Sequence, residues 1–373
     1  MKIILATGIY PPEIGGPATY VRALAEELSR KGTDVIVITY GEPHTAEDWK
    51  VIKVSKSIPI LRWISYALAL RAHGKDADAV IAFSSISVGV PLWLSHLTKP
   101  KKILRLGGDF FWERYTDQGG MMSLRAWYAS KPRLQSLMQN ILSIFDHIVF
   151  STRFQEEIYE KFYPSLPSHS VIENALPSGL PKKHEKHEPF RILFMGRFVG
   201  FKNLEALVQS VVALHPTSPR LRGTSATPLH GQLILTFVGD GPTKSRLQSL
   251  TKDLHIEDFV QFIHPVHGEE KQKMFAEQDL LIIPSITEIS PNVALEARSE
   301  GLPVLLTLET GLSEWLTKGM LVQDLSTEDK IRKSIIYAMD HYNDIASSAF
   351  LSPVARGWDT VAEEWIQFLH VTR

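Results

Sequence analysis

The chain has 373 residues, 44% of them hydrophobic and 22% charged, and a formal net charge of −1. That length and apolar content suffice for two buried cores, and near neutrality gives no support to a nucleic-acid partner. There is no cysteine, which excludes disulfides and thiolate chemistry and fits a reducing compartment.

In chain order, short β-branched runs alternate with helical patterns, the signature of an α/β protein with parallel sheets wrapped by helices. Lys2–Thr7 and Asp34–Thr39 are strand-like, and Thr19–Arg30 between them puts Tyr20, Leu24 and Leu28 on one helical face. The opening Met-Lys-Ile-Ile-Leu-Ala reaches Gly8, Tyr10 and two prolines too early for a signal-peptide apolar core. Leu61–Ala72 is predicted as helix, Ala79–Phe83 as strand, Val88–Leu97 as helix and Lys102–Leu106 as strand. The apolar run from Ile81 to Leu97 is broken by serines, Pro91 and His96 and is too short to span a bilayer. A long helical stretch around Ser123–Ile144 and a strand at His147–Phe150 follow.

Basic residues concentrate between Lys99 and Arg133, among Trp112, Trp127 and Tyr128. This is either a solvated helix-and-loop face or a surface for an acceptor or a lipid headgroup. The expectation is a cytoplasmic protein, with peripheral contact to the inner face of the membrane through its N-terminal domain.

A polar, proline-punctuated stretch at Pro177–Pro189, in which His184 and His187 look solvated, reads as an interdomain linker and, with the linker at residues 181–190, divides the chain into a domain at 1–180 and another at 191–352. The second domain opens with a strand at Arg191–Met195. It continues through a helix at Leu204–Leu214, a strand at Leu233–Val238, a helix at Thr243–Leu254, a strand at Val260–Phe262, a helix at Glu269–Ala276 and a strand at Leu280–Pro284. His215–Gln232, rich in Pro, Ser, Thr and Gly, interrupts it as a surface loop. Two doubly wound domains follow from the alternation. A last helical pattern, residues 353–373, lines up Trp358, Val361, Trp365 and Phe368.

Four features carry chemistry. Gly15 and Gly16, in the loop after the first strand, let backbone approach a ligand at a helix N-terminus, where amides and dipole favour an anion; the same pair also makes an ordinary turn. Arg197 and Lys202, in Gly-Arg-Phe-Val-Gly-Phe-Lys-Asn, follow the first strand of the second domain, and a guanidinium fork with a flexible point charge suits two linked phosphates. Asp240, in Val-Gly-Asp-Gly-Pro, is a ligand-side residue or a helix cap. Glu288 and Glu296, eight positions apart, bracket a helix start at Ile289, Ser290, Pro291, Asn292 and Val293, whose amides suit an oxygen of a phosphate or hydroxyl.

Taken together these residues resemble the glycosyltransferases of family 4, group 1, which are retaining enzymes with the GT-B fold of two Rossmann-like domains facing a cleft. The resemblance rests on Pro-Pro-x-x-Gly15-Gly16, Val171-Ile-Glu-Asn174-Ala, the Arg197–Lys202 loop, the Asp240 loop, and Glu288-x7-Glu296-Ala with Gly301-Leu-Pro303-Val. It implies a nucleoside-diphosphate sugar of UDP- or GDP-hexose type as co-substrate, no metal and no cofactor, and a glycan or lipid-linked acceptor held by the N-terminal domain. Polysaccharide or lipopolysaccharide synthesis would be the setting.

By the same resemblance Arg197 and Lys202 neutralise the donor diphosphate, Glu288 and the amides after it hold the donor sugar, and Glu296 contacts the ribose. Gly15 and Gly16 close on the diphosphate, the neighbours of His264 meet the base, and residues 353–373 form a helix crossing back to the N-terminal domain. Where many relatives carry a histidine this chain has Arg105-Leu-Gly-Gly-Asp109, so Asp109 is the candidate for a sugar-facing catalytic group. Two alternatives stay open: a sugar-nucleotide 2-epimerase of the same fold, and a non-catalytic nucleotide-sugar-binding protein.

Overall fold

The structure is a computed structural model that describes the chain apart from residues 14, 43–46, 57, 132, 177–180, 213, 215–232, 353–355 and 372–373. His215, the loop expected at His215–Gln232 and part of the proline-rich stretch therefore lie outside the described residues. The chain divides into two compact units, Met1–Phe111 with Arg125–Ala175 and Arg356–Arg373, and Trp112–Leu124 with Leu176–Ala355. Residues 112–124 thus group with the second unit, and the change to that unit comes at Leu176.

In the first unit the order is β1 (Lys2–Ala6), α1 (Gly16–Arg30), β2 (Asp34–Tyr40), β3 (Lys50–Val54), α2 (Pro59–Gly74), β4 (Ala79–Ala82), α3 (Gly89–Leu94) and β5 (Lys101–Leu106). Then come α4 (Phe110–Asp117), which from Trp112 on belongs to the second unit, α5 (Leu124–Ala129), α6 (Gln135–Leu142), β6 (His147–Phe150), α7 (Arg153–Phe162) and β7 (Ser168–Val171). The seven strands form a parallel sheet in the order β3-β2-β1-β4-β5-β6-β7. β1, β4 and β6 bury nearly every residue because helices cover both faces.

The predicted helix over Ser123–Ile144 is two, α5 and α6, and Lys131 between them adopts a left-handed φ of 55°. A residue with a side chain pays for that conformation and cannot continue a right-handed helix through it.

The second unit runs β8 (Phe190–Met195), a 3-10 turn at Gly200–Lys202, α8 (Leu204–Val212), β9 (Leu233–Val238), α9 (Lys244–Asp253), β10 (Val260–Ile263), α10 (Gly268–Ala276) and β11 (Leu280–Ile283). It continues with α11 (Asn292–Ser299), β12 (Val304–Thr307), α12 (Glu314–Thr317), β13 (Leu321–Gln323), α13 (Glu328–Asp340) and α14 (Tyr342–Phe350). Its six parallel strands are ordered β10-β9-β8-β11-β12-β13. In each sheet the first strand in sequence, β1 or β8, has its successor on one side and a later strand on the other. This reversal opens a crevice at the carboxyl ends of the strands, where ligands of open α/β sheets bind.

The last helix, α15 (Trp358–Val371), packs on α1 in the first unit. Val361, Ala362, Trp365 and Leu369 join Ile3, Leu24 and Val37 in one core, and Trp365 Nε1 donates to Tyr20 Oη at 3.0 Å. Truncating a buried tryptophan of this kind to alanine costs about 3–5 kcal/mol.

The stretch that reads as a solvated linker is instead fastened to the second unit. His184 is buried with Nδ1 3.2 Å from the Gln278 carbonyl, and His187 places both its amide and its Nδ1 on Asp279 Oδ1, at 2.9 and 2.8 Å. The Arg191 amide donates to Asp279 Oδ2 at 2.7 Å. A fully buried carboxylate must be supplied with donors, and the strap supplies them. Among the described residues no helix is long and apolar enough to cross a membrane.

Candidate active site

The strongest cluster of sequence-predicted residues lies where β8, β9 and β11 end. Gly196 donates its amide to the Val238 carbonyl (3.0 Å), Phe198 to the Asp240 carbonyl (2.9 Å) and Gly239 to the Ile263 carbonyl (3.1 Å), so adjacent strand ends are laced together. Gly239 is obligatory: a methyl there would stand 1.9 Å from the Gly196 carbonyl oxygen. Arg197 projects from this lacework, exposed, with no hydrogen-bond or ion-pair partner among the described residues.

The 3-10 turn beginning at Gly200 delivers Lys202, and Asn203, in the left-handed region at φ 56°, ends it. Lys202 Nζ lies 2.6 Å from Glu288 Oε2, which also accepts the Ser285 hydroxyl at 2.7 Å. Glu288 is 7% exposed. Its backbone is held on both sides, the amide by Glu309 O and the carbonyl by Gly311 N, each at 2.8 Å. A buried charge so placed is stable because a cation and a hydroxyl satisfy it.

Beyond it Ile289 is buried, and Ser290 with Pro291 leads into α11, which starts at Asn292 and continues with Val293. Glu296, one turn inside α11, pairs with Lys271 of α10 in a short, half-buried contact. Asp240 is exposed and does not cap α9, since Thr243 occupies that position; its Oδ1 accepts the Gly241 amide at 2.8 Å and lies 3.8 Å from Lys244. The exposed His264 follows β10.

Residues 112–124 seat this cluster. The Leu124 amide donates to Thr287 Oγ1 at 3.0 Å, one residue before Glu288. Trp112 is buried, its ring 5.4 Å from that of Phe201, and the Gly200 amide reaches Asp117 Oδ1 at 3.3 Å. Neither this seat, nor Ser285, nor Lys271 was evident in the sequence. A lysine 25 positions before Glu296 on another helix carries no local signal, although the pairing of a helix-start acid with a cation is a pattern worth seeking.

In the first unit Gly15 occupies the N-cap position of α1 and Gly16 its first residue, at the carboxyl end of β1. Asp109 is a correction. It is not a sugar-facing group: it has no exposed surface and accepts the hydroxyls of Tyr128 (2.6 Å) and Tyr159 (2.8 Å). Burial first, and then the Asp109 charge, raise both tyrosines well above their ordinary value, so these phenols stay protonated and donate.

The basic, aromatic stretch from Lys99 to Arg133 is not a single face either. Trp112, Trp127 and Tyr128 are core residues, and Arg105 is buried, donating to Asn174 Oδ1 at 2.7 Å.

Comparison with known proteins matches residues 14–176 to the model of Glycosyltransferase Family 4 and residues 180–346 to that of Glycosyl transferases group 1. An uncharacterized glycosyltransferase of Methanocaldococcus jannaschii is 25% identical over 84% of this chain and 82% of its own length. Among solved structures, sucrose-phosphate synthase from Thermosynechococcus elongatus superposes with a TM-score of 0.78 at 17% identity, covering 100% of this chain and 98% of its own. HepE from Anabaena, in complex with UDP-glucose, superposes with a TM-score of 0.74 at 14% identity, covering 100% of both chains.

Proposed function

The chain belongs to the family 4, group 1 glycosyltransferases with the GT-B fold, and from that premise we propose that it transfers a hexose, with retention, from a nucleoside-diphosphate sugar to a glycan or lipid-linked acceptor. One observation carries the reading: Arg197, without a hydrogen-bond or ion-pair partner among the described residues, follows β8, and the Lys202–Glu288 pair joins the loops that follow β8 and β11, the strands beside the reversal of the sheet. A nucleoside diphosphate fits two cations there, and the neighbouring carboxylate fits the hydroxyls of the sugar it carries. The UDP-glucose held by HepE supports a UDP-hexose as the first donor to try.

When the anomeric C–O bond breaks, negative charge gathers on the departing phosphate oxygen. Arg197 and Lys202 neutralise it without a metal ion or a cofactor. Lys202 has three protons, so it can give one to a phosphate oxygen and keep another on Glu288. Glu288 orients the sugar hydroxyls, and the amides of Ile289, Ser290, Asn292 and Val293 around the start of α11 face the same ligand, Pro291 having no N–H to offer. Glu296, steadied by Lys271, takes the ribose. Asp240 and its loop border the donor, and Gly15 and Gly16 offer the first unit's own helix N-terminus to an anion. With no general base required, the acceptor hydroxyl attacks on the face the diphosphate is leaving and passes its proton to the phosphate.

The test is release of nucleoside diphosphate from a panel of UDP- and GDP-hexoses, with the anomeric configuration of the product read by NMR. Retention is expected, and Lys202→Ala is expected to lower kcat/KM by at least a thousandfold, in line with the loss of about 4 kcal/mol of transition-state stabilisation. An inverted product, or an epimerised nucleotide sugar formed without acceptor, overturns the reading.

A further inference from the structure

The solvent side of α2 is apolar where a surface helix should be polar. Ile58, Ile60, Leu61, Ile64 and Leu68 are each between 47% and 70% exposed. At 100° per residue positions 60, 61, 64 and 68 fall within one arc of about 100°. Arg71 and Lys75 continue that arc toward the carboxyl end, both exposed and both without an ion-pair partner among the described residues. Trp93, on the adjoining helix α3, is 57% exposed. Scattered surface leucines need no explanation, but a continuous stripe with a tryptophan on the neighbouring helix does.

The helix cannot rotate to hide the stripe. Its opposite face buries Tyr66 and Leu70, and the Tyr66 hydroxyl is fixed 2.9 Å from Thr7 O and 2.6 Å from Ile38 O.

Charge identifies what covers it. From Trp49 through Lys75 there is no acidic residue, and none from Ala79 through Gly108, the segment that contains α3. Lys53 and Lys56 are paired to Glu42 and Glu13, which leaves Lys75 and Arg71, whose Nη1 lies 3.5 Å from the Ser95 carbonyl, as cations of the stripe without an ion-pair partner among the described residues. Exposed Asp76 beside Lys75 follows the stripe, and a second copy docked here would still set one predominantly basic surface against another, an unfavourable match.

We propose that α2 and Trp93 form a docking surface for an anionic lipid bilayer. The apolar stripe, about 12 Å from Ile60 to Leu68, sinks to the level of the acyl chains. Trp93 sits among the headgroups, and Arg71 and Lys75 reach the lipid phosphates. The surface differs from the Lys99–Arg133 stretch, whose Trp112, Trp127 and Tyr128 are core.

The experiment is flotation of the full chain with vesicles of phosphatidylcholine alone and of phosphatidylcholine with phosphatidylglycerol. Wild type is expected to float with the anionic vesicles at least tenfold more strongly than with the neutral ones, the difference shrinking as salt rises. Ile60→Ser with Leu68→Ser, and separately Arg71→Glu with Lys75→Glu, are expected to lower binding at least tenfold. Both leave the melting temperature and lipid-free nucleoside-diphosphate release at wild-type values, so failure here is distinguishable from failure of the assigned reaction. Absence of wild-type flotation at millimolar lipid, equal flotation of the variants, or a dimer in solution that the Ile60 and Leu68 changes dissolve overturns the proposal.

Discussion

Gly200→Ala probes whether residues 112–124 set the position of Lys202. A methyl on Gly200 would stand 2.3 Å from the Thr116 carbonyl oxygen, 2.8 Å from its carbon and 3.2 Å from the Asp117 amide nitrogen. All three are backbone atoms, so no side chain can rotate away, and the two segments must separate by about 1 Å to restore van der Waals contact. Overpacking of this kind costs about 1–3 kcal/mol of stability. The larger effect falls on Lys202, two residues along the same tight turn. A displacement of about 1 Å in a positioning element costs on the order of a hundredfold in rate, or about 2.7 kcal/mol.

Steady-state kcat/KM for nucleoside-diphosphate release, with urea unfolding beside it, reads both quantities. Gly357→Ala, whose methyl meets nothing nearer than 3.9 Å, is the control and stays at wild type. A Gly200→Ala enzyme within threefold of wild type would show that the seat does not govern the lysine.

Three further outcomes follow from buried groups. Asp109→Asn keeps an acceptor for Tyr128 and Tyr159 and holds kcat/KM within tenfold, whereas Asp109→Ala takes the acceptor from Tyr159 and leaves Tyr128 only Tyr163, 2.9 Å away, and costs about 1–3 kcal/mol; calorimetry and kinetics together separate this from a catalytic role, in which Asp109→Asn would abolish activity. Asp279→Ala removes the acceptor of the His187 and Arg191 amides and lowers stability by about 3–5 kcal/mol in chemical denaturation, a loss below 1 kcal/mol contradicting the strap. His147, pushed down from 6.5 to about 4 by burial and then by Lys101 and His169, is neutral in the fold while the unfolded chain takes up a proton. Its contribution is therefore complete above pH 6.5 and lost as pH falls toward 4, about 3 kcal/mol in all, and His147→Gln should flatten the pH dependence of unfolding by that amount.

What the sequence disclosed follows from locality. Leu280–Ile283 is a continuous apolar run and Leu233–Val238 is broken only by Thr236, because both faces of an interior parallel strand are covered, and such runs need no context to be recognised. β3 and β7 escaped because they are edge strands: Lys50–Val54 mixes cations with valine and isoleucine, and three of the four residues of Ser168–Val171 are polar. Arg197, Lys202 and Glu288 were visible because each follows a strand directly, in glycine-rich or proline-marked loops.

Their support was not visible. Lys271 meets Glu296 from a different helix, and Thr287 is reached by an amide 163 positions away, so neither contact has a local pattern. The same distance effect disguised the strap, where His187 looks solvated until Asp279, 92 positions later, turns out to need its protons. The tryptophans near Lys99–Arg133 misled for another reason: aromatic residues among cations describe a binding face and a folded core equally well.

The docking of α15 on α1 bears on how the chain is made. The first unit's hydrophobic core includes Val361, Trp365 and Leu369, residues that leave the ribosome only after the whole second unit has been synthesised. At about 5–20 residues per second, Ile3, Leu24 and Val37 wait many seconds for their last partners. The second unit has no such dependence and can close its sheet first. A premature stop before Trp358 would therefore injure the part of the protein translated earliest, removing Val361, Trp365 and Leu369 from the core they share with α1 while leaving the strands that carry Arg197, Lys202 and Glu288 intact.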